Sequence, residues 1–301
     1  MIEKNYLKNL IKKPNLISEL KFEELSNIFQ DGKGHFKEEN LLLEFKLEGK
    51  EEEVYIIGDI HGNLQSLLKL IEIIEKKNPK LVIFLGDIVD RGSYQLECLI
   101  LVLALKIIEP NRYFLLRGNH ETLEMNQYYG FFQDFMSRFK DQSKFNEILS
   151  IYDVLPICAV INDNILCLHG GIPEDFDILK KLKNKKHNDF DETTIKLINP
   201  GVYQILWNDP KDVEILNFSP NSFRGPGIKF FGQKAFNAFM ERNNLQLLIR
   251  AHECFPEGYR WFFNKSLLSI FSSANYGGYF SPNPASYAII RDNNLIPMLI
   301  Q

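Results

Sequence analysis

Five short runs of β-branched and large apolar residues, Val54–Gly58, Leu81–Gly86, Tyr113–Arg117, Ile165–Leu168 and Leu247–Arg250, each end in a cluster drawn from Asp, Asn, His, Arg and Gly. A short, continuously apolar run bounded by such residues reads as a strand buried on both faces. Between the first three runs, Leu64–Lys76 and Tyr94–Ile108 carry helical spacing, so strands and helices alternate as in an α/β sheet. In these sheets the carboxyl ends of the strands open onto the crevice where ligands bind. The five polar clusters are therefore expected to meet at one site.

The chain has six histidines, and four of them (His61, His120, His169 and His252) lie within three residues of the end of one of these runs; His35 and His187 lie elsewhere. A lone histidine at a strand end is more often structural. Four at one edge, beside Asp59, Asp87, Asp90 and Asn119, form a ligand set for metal. Carboxylate, imidazole and amide oxygen suit borderline divalent ions such as Mn, Fe, Zn or Co, and no thiolate is placed to close a structural zinc site. The donors exceed what one tetrahedral ion needs, which points to two divalent metal ions sharing a carboxylate. Such a pair, about 3.5–4 Å apart, can clamp both the attacking and the leaving oxygen of a phosphoryl displacement. Gly58, Gly62, Gly86, Gly92, Gly118, Gly170 and Gly171 border the ligands, where the backbone must turn sharply.

Composition excludes other classes. The net charge of −4 leaves no basic footprint for nucleic acid. The longest apolar run, Leu99–Ile108, contains Lys106 and is too short to span a membrane. Met1–Lys13 lacks the apolar core of a signal peptide. Cys98, Cys158, Cys167 and Cys254 have no C-x-x-C spacing and read as free thiols in a reducing compartment, so the expected location is cytoplasmic. Residues 1–50, with Leu7, Leu10, Ile11 and then Leu20, Phe22, Leu25, Ile28 and Phe29 at helical spacing, read as an N-terminal helical segment packed on a single catalytic domain, 51–301. Aromatic residues and glycine thicken after about residue 200, suggesting a second, more antiparallel sheet packed on the first. The lysine-rich stretch Lys180–Lys186 reads as a solvated face, with a partner-binding patch as the alternative.

Taken in order, the clusters spell a pattern. Gly58-Asp59-Ile60-His61-Gly62, Gly86-Asp87-Ile88-Val89-Asp90-Arg91-Gly92 and Gly118-Asn119-His120-Glu121, about 30 residues apart, resemble the three signature blocks of the phosphoprotein phosphatase family, calcineurin-like metallophosphoesterases. His169-Gly170-Gly171, Trp207-Asn208-Asp209-Pro210, Arg224-Gly225, Arg250-Ala251-His252-Glu253 and Ser273-Ala274-Asn275-Tyr276 resemble the later blocks of its serine/threonine-specific branch. The likeness spans roughly residues 25–290. It implies a four-layer α/β sandwich, a central mixed β-sandwich flanked by helices, and hydrolysis of phosphoserine and phosphothreonine in phosphoprotein substrates.

The resemblance also implies roles. One metal would be held by Asp59, His61 and a bridging Asp87, the other by Asp87, Asn119, His169 and His252, with a metal-bridging water or hydroxide as nucleophile. Arg91 and Arg224 would bind phosphate oxygens, with Asn119 and Tyr276 also contacting substrate. His120, oriented by Asp90, would protonate the leaving oxygen; Arg250 stands beside a ligand and is equally a supporting residue. Regulatory or targeting subunits are possible partners.

The chain departs from the pattern in three places. Its Arg224–Gly232 loop is one residue longer than usual and holds Pro226 and Gly227, no proline precedes Asn275, and Gly277 stands where a toxin-reactive cysteine is common. Covalent toxin capture is therefore not expected. The chain stops soon after the last strand, which reads as a bare catalytic unit. Two rival readings are a dinucleoside-polyphosphate hydrolase, which shares the first three blocks, and an inactive scaffold that binds phosphoproteins.

Overall fold

A computed structural model describes residues 2–186, 200–278 and 282–300; His187 lies outside them. Strands are numbered in chain order: β1 Leu42–Phe45, β2 Val54–Ile57, β3 Leu81–Phe84, β4 Tyr113–Leu115, β5 Cys158–Ile161, β6 Ile165–Leu168, β7 Asp209–Pro210, β8 Phe218–Pro220, β9 Lys229–Phe231, β10 Leu247–Arg250, β11 Tyr259–Phe262, β12 Leu267–Ile270, β13 Ser286–Arg291 and β14 Asn294–Leu299. The first helices are α1 Lys4–Lys12, α2 Phe22–Lys37, α3 Leu64–Lys77 and α4 Gln95–Ile108.

Period-two alternation builds the layers. Along β2, Tyr55 and Ile57 join a core with the helices, while Val54 and Ile56 join a second core between two sheets. The five-stranded sheet has the order β14-β13-β2-β3-β4, and the six-stranded sheet the order β1-β5-β6-β10-β12-β11. Ile83, Leu85, Ile161, Ile165, Ile249 and Ile270 fill the space between them. The outer face of the second sheet is covered by helices Ile178–Leu182, Pro200–Trp207 and Gln233–Arg242 through Ile178, Val202 and Phe236. Helix, sheet, sheet, helix is the four-layer sandwich the sequence led us to expect.

Two expectations need correction. The second sheet does not begin near residue 200: it takes β1, β5 and β6 from before residue 170. Nor is it the more antiparallel of the two: β1–β5, β6–β10 and β10–β12 run parallel and β5–β6 and β11–β12 antiparallel, whereas the first sheet is evenly divided, with β13–β14 and β2–β13 antiparallel and β2–β3 and β3–β4 parallel. The five site-bearing strands consequently lie in two sheets, β2, β3 and β4 in one and β6 and β10 in the other. Apolar runs report burial on both faces, not which neighbour a strand pairs with.

Within residues 1–50, helices α1 and α2 pack their buried Leu7, Leu10, Leu25, Ile28 and Phe29 into the core that also holds α4, whereas Leu42–Phe45 is a strand of the second sheet. Lys106, inside the apolar run of α4, is explained by this packing. Its ammonium lies beside Glu39 and donates to the Pro110 carbonyl at 2.8 Å, under the rings of Phe114 and Phe36. Removing one member of such a pair strands the other charge. Lys106→Met is therefore expected to destabilise the chain by about 3–5 kcal/mol, with Glu39→Leu/Lys106→Met recovering most of it, as read by urea unfolding.

Lys180, Lys183 and Lys186 pair with Asp177, Glu44 and Glu38 at 3.4, 2.8 and 3.2 Å, as expected of a solvated face balanced by its own acids. Among the described residues no helix is long and apolar enough to cross a membrane, and all four cysteines are free thiols.

Candidate metal centre and active site

Each ligand-type side chain sits just past a strand end: Asp59 after β2, Asp87 after β3, Asn119 after β4, His169 after β6 and His252 after β10. The turns are tight enough to force rare backbone. His61, Asp87, Asp90, Arg91, His252 and Asn275 all have left-handed φ, between 48° and 74°, each at a cost of order 1–3 kcal/mol. Close approach does the rest: a Cβ on Gly118 would lie 2.2 Å from Asp87 Oδ1 and 2.6 Å from its backbone nitrogen. Strain of this kind is tolerated where the surrounding structure over-determines it, and it clusters at functional sites.

The imidazoles are oriented by their backs. His61 Nδ1 donates to the Val89 carbonyl and His169 Nδ1 to the Leu85 carbonyl, both at 2.9 Å, so each turns a bare Nε2 inward. His169 Nε2 then lies 2.8 Å from Asn119 Oδ1, 3.2 Å from His252 Nδ1 and 3.3 Å from Asp87 Oδ2. His61 Nε2 lies 3.6 Å from Asp87 Oδ2 and 3.7 Å from Asp59 Oδ2. Lone pairs thus converge with few protons between them, and the buried Asp59 Oδ2 has no hydrogen-bond partner. Burial pushes the Asp59 and Asp87 carboxyls up and the His61, His169 and His252 rings down, and the neighbouring charges and backbone hydrogen bonds do not reverse it. Divalent cations would complete this donor set, and Asp87 belongs to both candidate clusters, with His61 and His120 and with His169 and His252.

His120 differs from the other three. Its Nδ1 meets a carboxylate, Asp90 Oδ2, at 2.7 Å, and its Nε2 faces the same centre, 3.9 Å from Asp87 Oδ2. Arg91 lies over the Tyr129 ring, its Cζ 3.7 Å from the centroid, and Tyr276 stacks on the His61 ring at 5.2 Å. Arg224 donates its Nε to Asp209 Oδ2 at 3.0 Å. Beside His61, a cleft of about 440 Å³ is lined by Asn63, Gln65, Arg91, Tyr94 and Tyr276. A cleft of about 590 Å³ lies at the opposite, amino-terminal ends of β2, β3 and β4, but its Lys80 and Arg112 pair with Glu52 and Glu109 and it holds no candidate metal cluster.

A family model described as calcineurin-like phosphoesterase matches residues 53–256. The chain belongs to the calcineurin-like phosphoesterase family. Its phosphoprotein phosphatase branch is marked by curated relatives. The serine/threonine-protein phosphatase 4 catalytic subunit of Saccharomyces cerevisiae is 36% identical over 74% of this chain and 70% of its own length. That of Candida glabrata is 35% identical over 85% of this chain and 80% of its own. The fold is that of a solved Saccharomyces cerevisiae protein serine/threonine phosphatase with similarity to human phosphatase PP5, with a TM-score of 0.83 at 24% identity, covering 100% of this chain and 96% of that one.

The structure brings the expected residues of this phosphoesterase to one place, and of the two readings of Arg250 it favours the supporting one. That side chain is fully buried and structural, bonded to the Gly170 carbonyl at 2.6 Å, Glu253 at 2.7 Å and Asp209 at 2.9 Å. Sequence reasoning assigned nothing to Asp209, which joins Arg250 to Arg224. It also missed Glu121, whose carboxylate accepts the backbone N–H groups of Asp87, Ile88 and Gly118 at 2.8–3.1 Å. Both lie inside the quoted blocks. The signal was present, but a role for an acid that binds only backbone or arginine needs three dimensions.

Proposed function

We propose that this phosphoesterase hydrolyses phosphoserine and phosphothreonine in proteins, with two divalent metal ions (Mn, Fe or Zn) held by Asp59, His61 and Asp87 and by Asp87, Asn119, His169 and His252. The observation carrying this reading is the convergence of their lone pairs beside a histidine–carboxylate pair, in a chain whose relatives are named serine/threonine-protein phosphatase catalytic subunits. The ions would supply Lewis acidity at the phosphoryl oxygens and a water of lowered pKa.

The chain's own residues complete the chemistry. Arg91 and Arg224 place planar, permanently charged donors at the rim, suited to phosphate oxygens. The Tyr129 and Tyr276 rings limit where Arg91 can swing. An alkoxide leaves poorly unless protonated, and His120 Nε2 is the donor that faces the centre with a carboxylate behind its other nitrogen. Phosphoprotein substrates, regulatory or targeting subunits and a cytoplasmic location complete the reading.

Turnover of a phosphoserine peptide should be compared with that of a dinucleoside polyphosphate, each with added Mn. A higher kcat/KM on the peptide is expected; preference for the dinucleotide removes the substrate assignment, and inactivity on both favours a scaffold.

A further inference from the structure

Behind His120 lies a line of buried side chains that the roles above leave unused. The Asp90 oxygen that meets His120 also accepts from Asn126 Nδ2 at 3.0 Å, and the other Asp90 oxygen accepts the Phe131 N–H at 3.2 Å. Asn126 Nδ2 donates in addition to the His120 carbonyl at 2.8 Å, so one amide ties both members of the pair. The Tyr152 hydroxyl donates to Asn126 Oδ1 at 3.1 Å. Asn126 is 0% and Tyr152 1% exposed, so bulk water does not stand in for either.

The directions follow from chemistry. With its Nδ2 toward Asp90 and the His120 carbonyl and its Oδ1 toward the Tyr152 hydroxyl, every contact the amide makes pairs one donor with one acceptor. A flipped amide would set its oxygen against a carboxylate and a carbonyl, three acceptors without a proton between them. The amide is also the apt donor. A lysine or arginine in its place would neutralise Asp90 and weaken the pull of the carboxylate on His120, whereas an amide fixes the carboxylate and leaves its charge intact.

We propose that Asn126, held by Tyr152, is a positioning residue for the proton donor: it keeps Asp90 against His120 Nδ1 and the His120 backbone in place, so that Nε2 faces the leaving oxygen. This rests on the reading of His120 above and extends it to α5 (Leu123–Tyr129), which carries Asn126, and to the helix Gln142–Tyr152 that ends in Tyr152.

The test is leaving-group dependence. Serine oxygen needs a proton to depart; p-nitrophenolate does not. In the Mn-supplemented full chain, Asn126→Ala is expected to lower kcat on a phosphoserine peptide about 10–100-fold, the scale of a slightly misplaced catalytic group, with KM unchanged. On p-nitrophenyl phosphate the same variant should stay within about threefold of wild type, because the metal-dependent step is untouched. Tyr152→Phe should follow the same pattern more weakly. Asp90→Asn/Asn126→Ala should be no slower than Asp90→Asn alone, as for residues acting as one unit.

Equal losses on both substrates, additive losses in the double variant, or unchanged peptide turnover in both single variants would overturn the assignment. Should Asn126→Ala fail to fold, Tyr152→Phe, which removes one hydroxyl, decides by the same ratio. Wild-type turnover of the peptide tests the substrate reading separately, so the two failures are told apart.

Discussion

Asp87→Asn is expected to lower kcat on a phosphoserine peptide by about 10³-fold or more, and to reduce the bound metal measured by atomic emission. Asp87 Oδ2 is the carboxylate oxygen that reaches both imidazole groups, 3.3 Å from His169 Nε2 and 3.6 Å from His61 Nε2. A metal pair stabilises transition-state charge by several kcal/mol, and about 4 kcal/mol corresponds to a factor of 10³. Asparagine keeps the shape and an oxygen for the His120 N–H that Asp87 Oδ1 accepts at 2.9 Å, so the loop is retained. The metal-free variant should unfold no earlier than the metal-free wild type, because the lost carboxylate is one that burial disfavours. A wild-type rate with full metal content would show that the centre lies elsewhere.

The second large effect is at His120. His120→Asn should lower kcat on the peptide by about 10²–10⁴-fold, the range of general acid catalysis, with metal content unchanged. On p-nitrophenyl phosphate the loss should be much smaller, since that leaving group needs no proton. The prediction separates His120 from His61 and His169, whose inward nitrogens are backed by carbonyls, while His120 is backed by Asp90. Metal loss in His120→Asn comparable to that in Asp87→Asn would make His120 a ligand, an arrangement that the cluster of His61, Asp87 and His120 keeps open to measurement.

Much of the site was legible before any fold was known, because its chemistry is local in sequence. In an α/β sheet candidate ligands gather at strand ends, and the strand ends are marked by apolar runs that stop at Gly, Asp or His. Asp59, Asp87, Asn119, His169 and His252 were found that way. The tight turns also leave a trace as glycines: Gly118 stands where a side chain would strike Asp87. Glu121, Asn126, Asp209 and Tyr152 leave no such trace. Glu121 binds backbone amides 33 and 34 residues away, and Tyr152 lies 26 residues beyond the asparagine it orients. Their residue types are ordinary for a loop or helix, and only their partners give them meaning.

By itself, the sequence determined the alternation of strand and helix, the inventory of candidate metal-binding side chains and the order in which they occur, since each depends on composition and spacing over a few residues. The tertiary structure alone decided that two sheets rather than one contribute their strand ends, that Arg250 is buried scaffold, and that Asn126 and Tyr152 stand behind His120 and Asp90. Those depend on pairing between strands such as β6 and β10, whose partners Leu166 and Leu248 lie 82 residues apart. An apolar run is equally content beside any partner that buries it, so the choice is made by the packing of the whole chain.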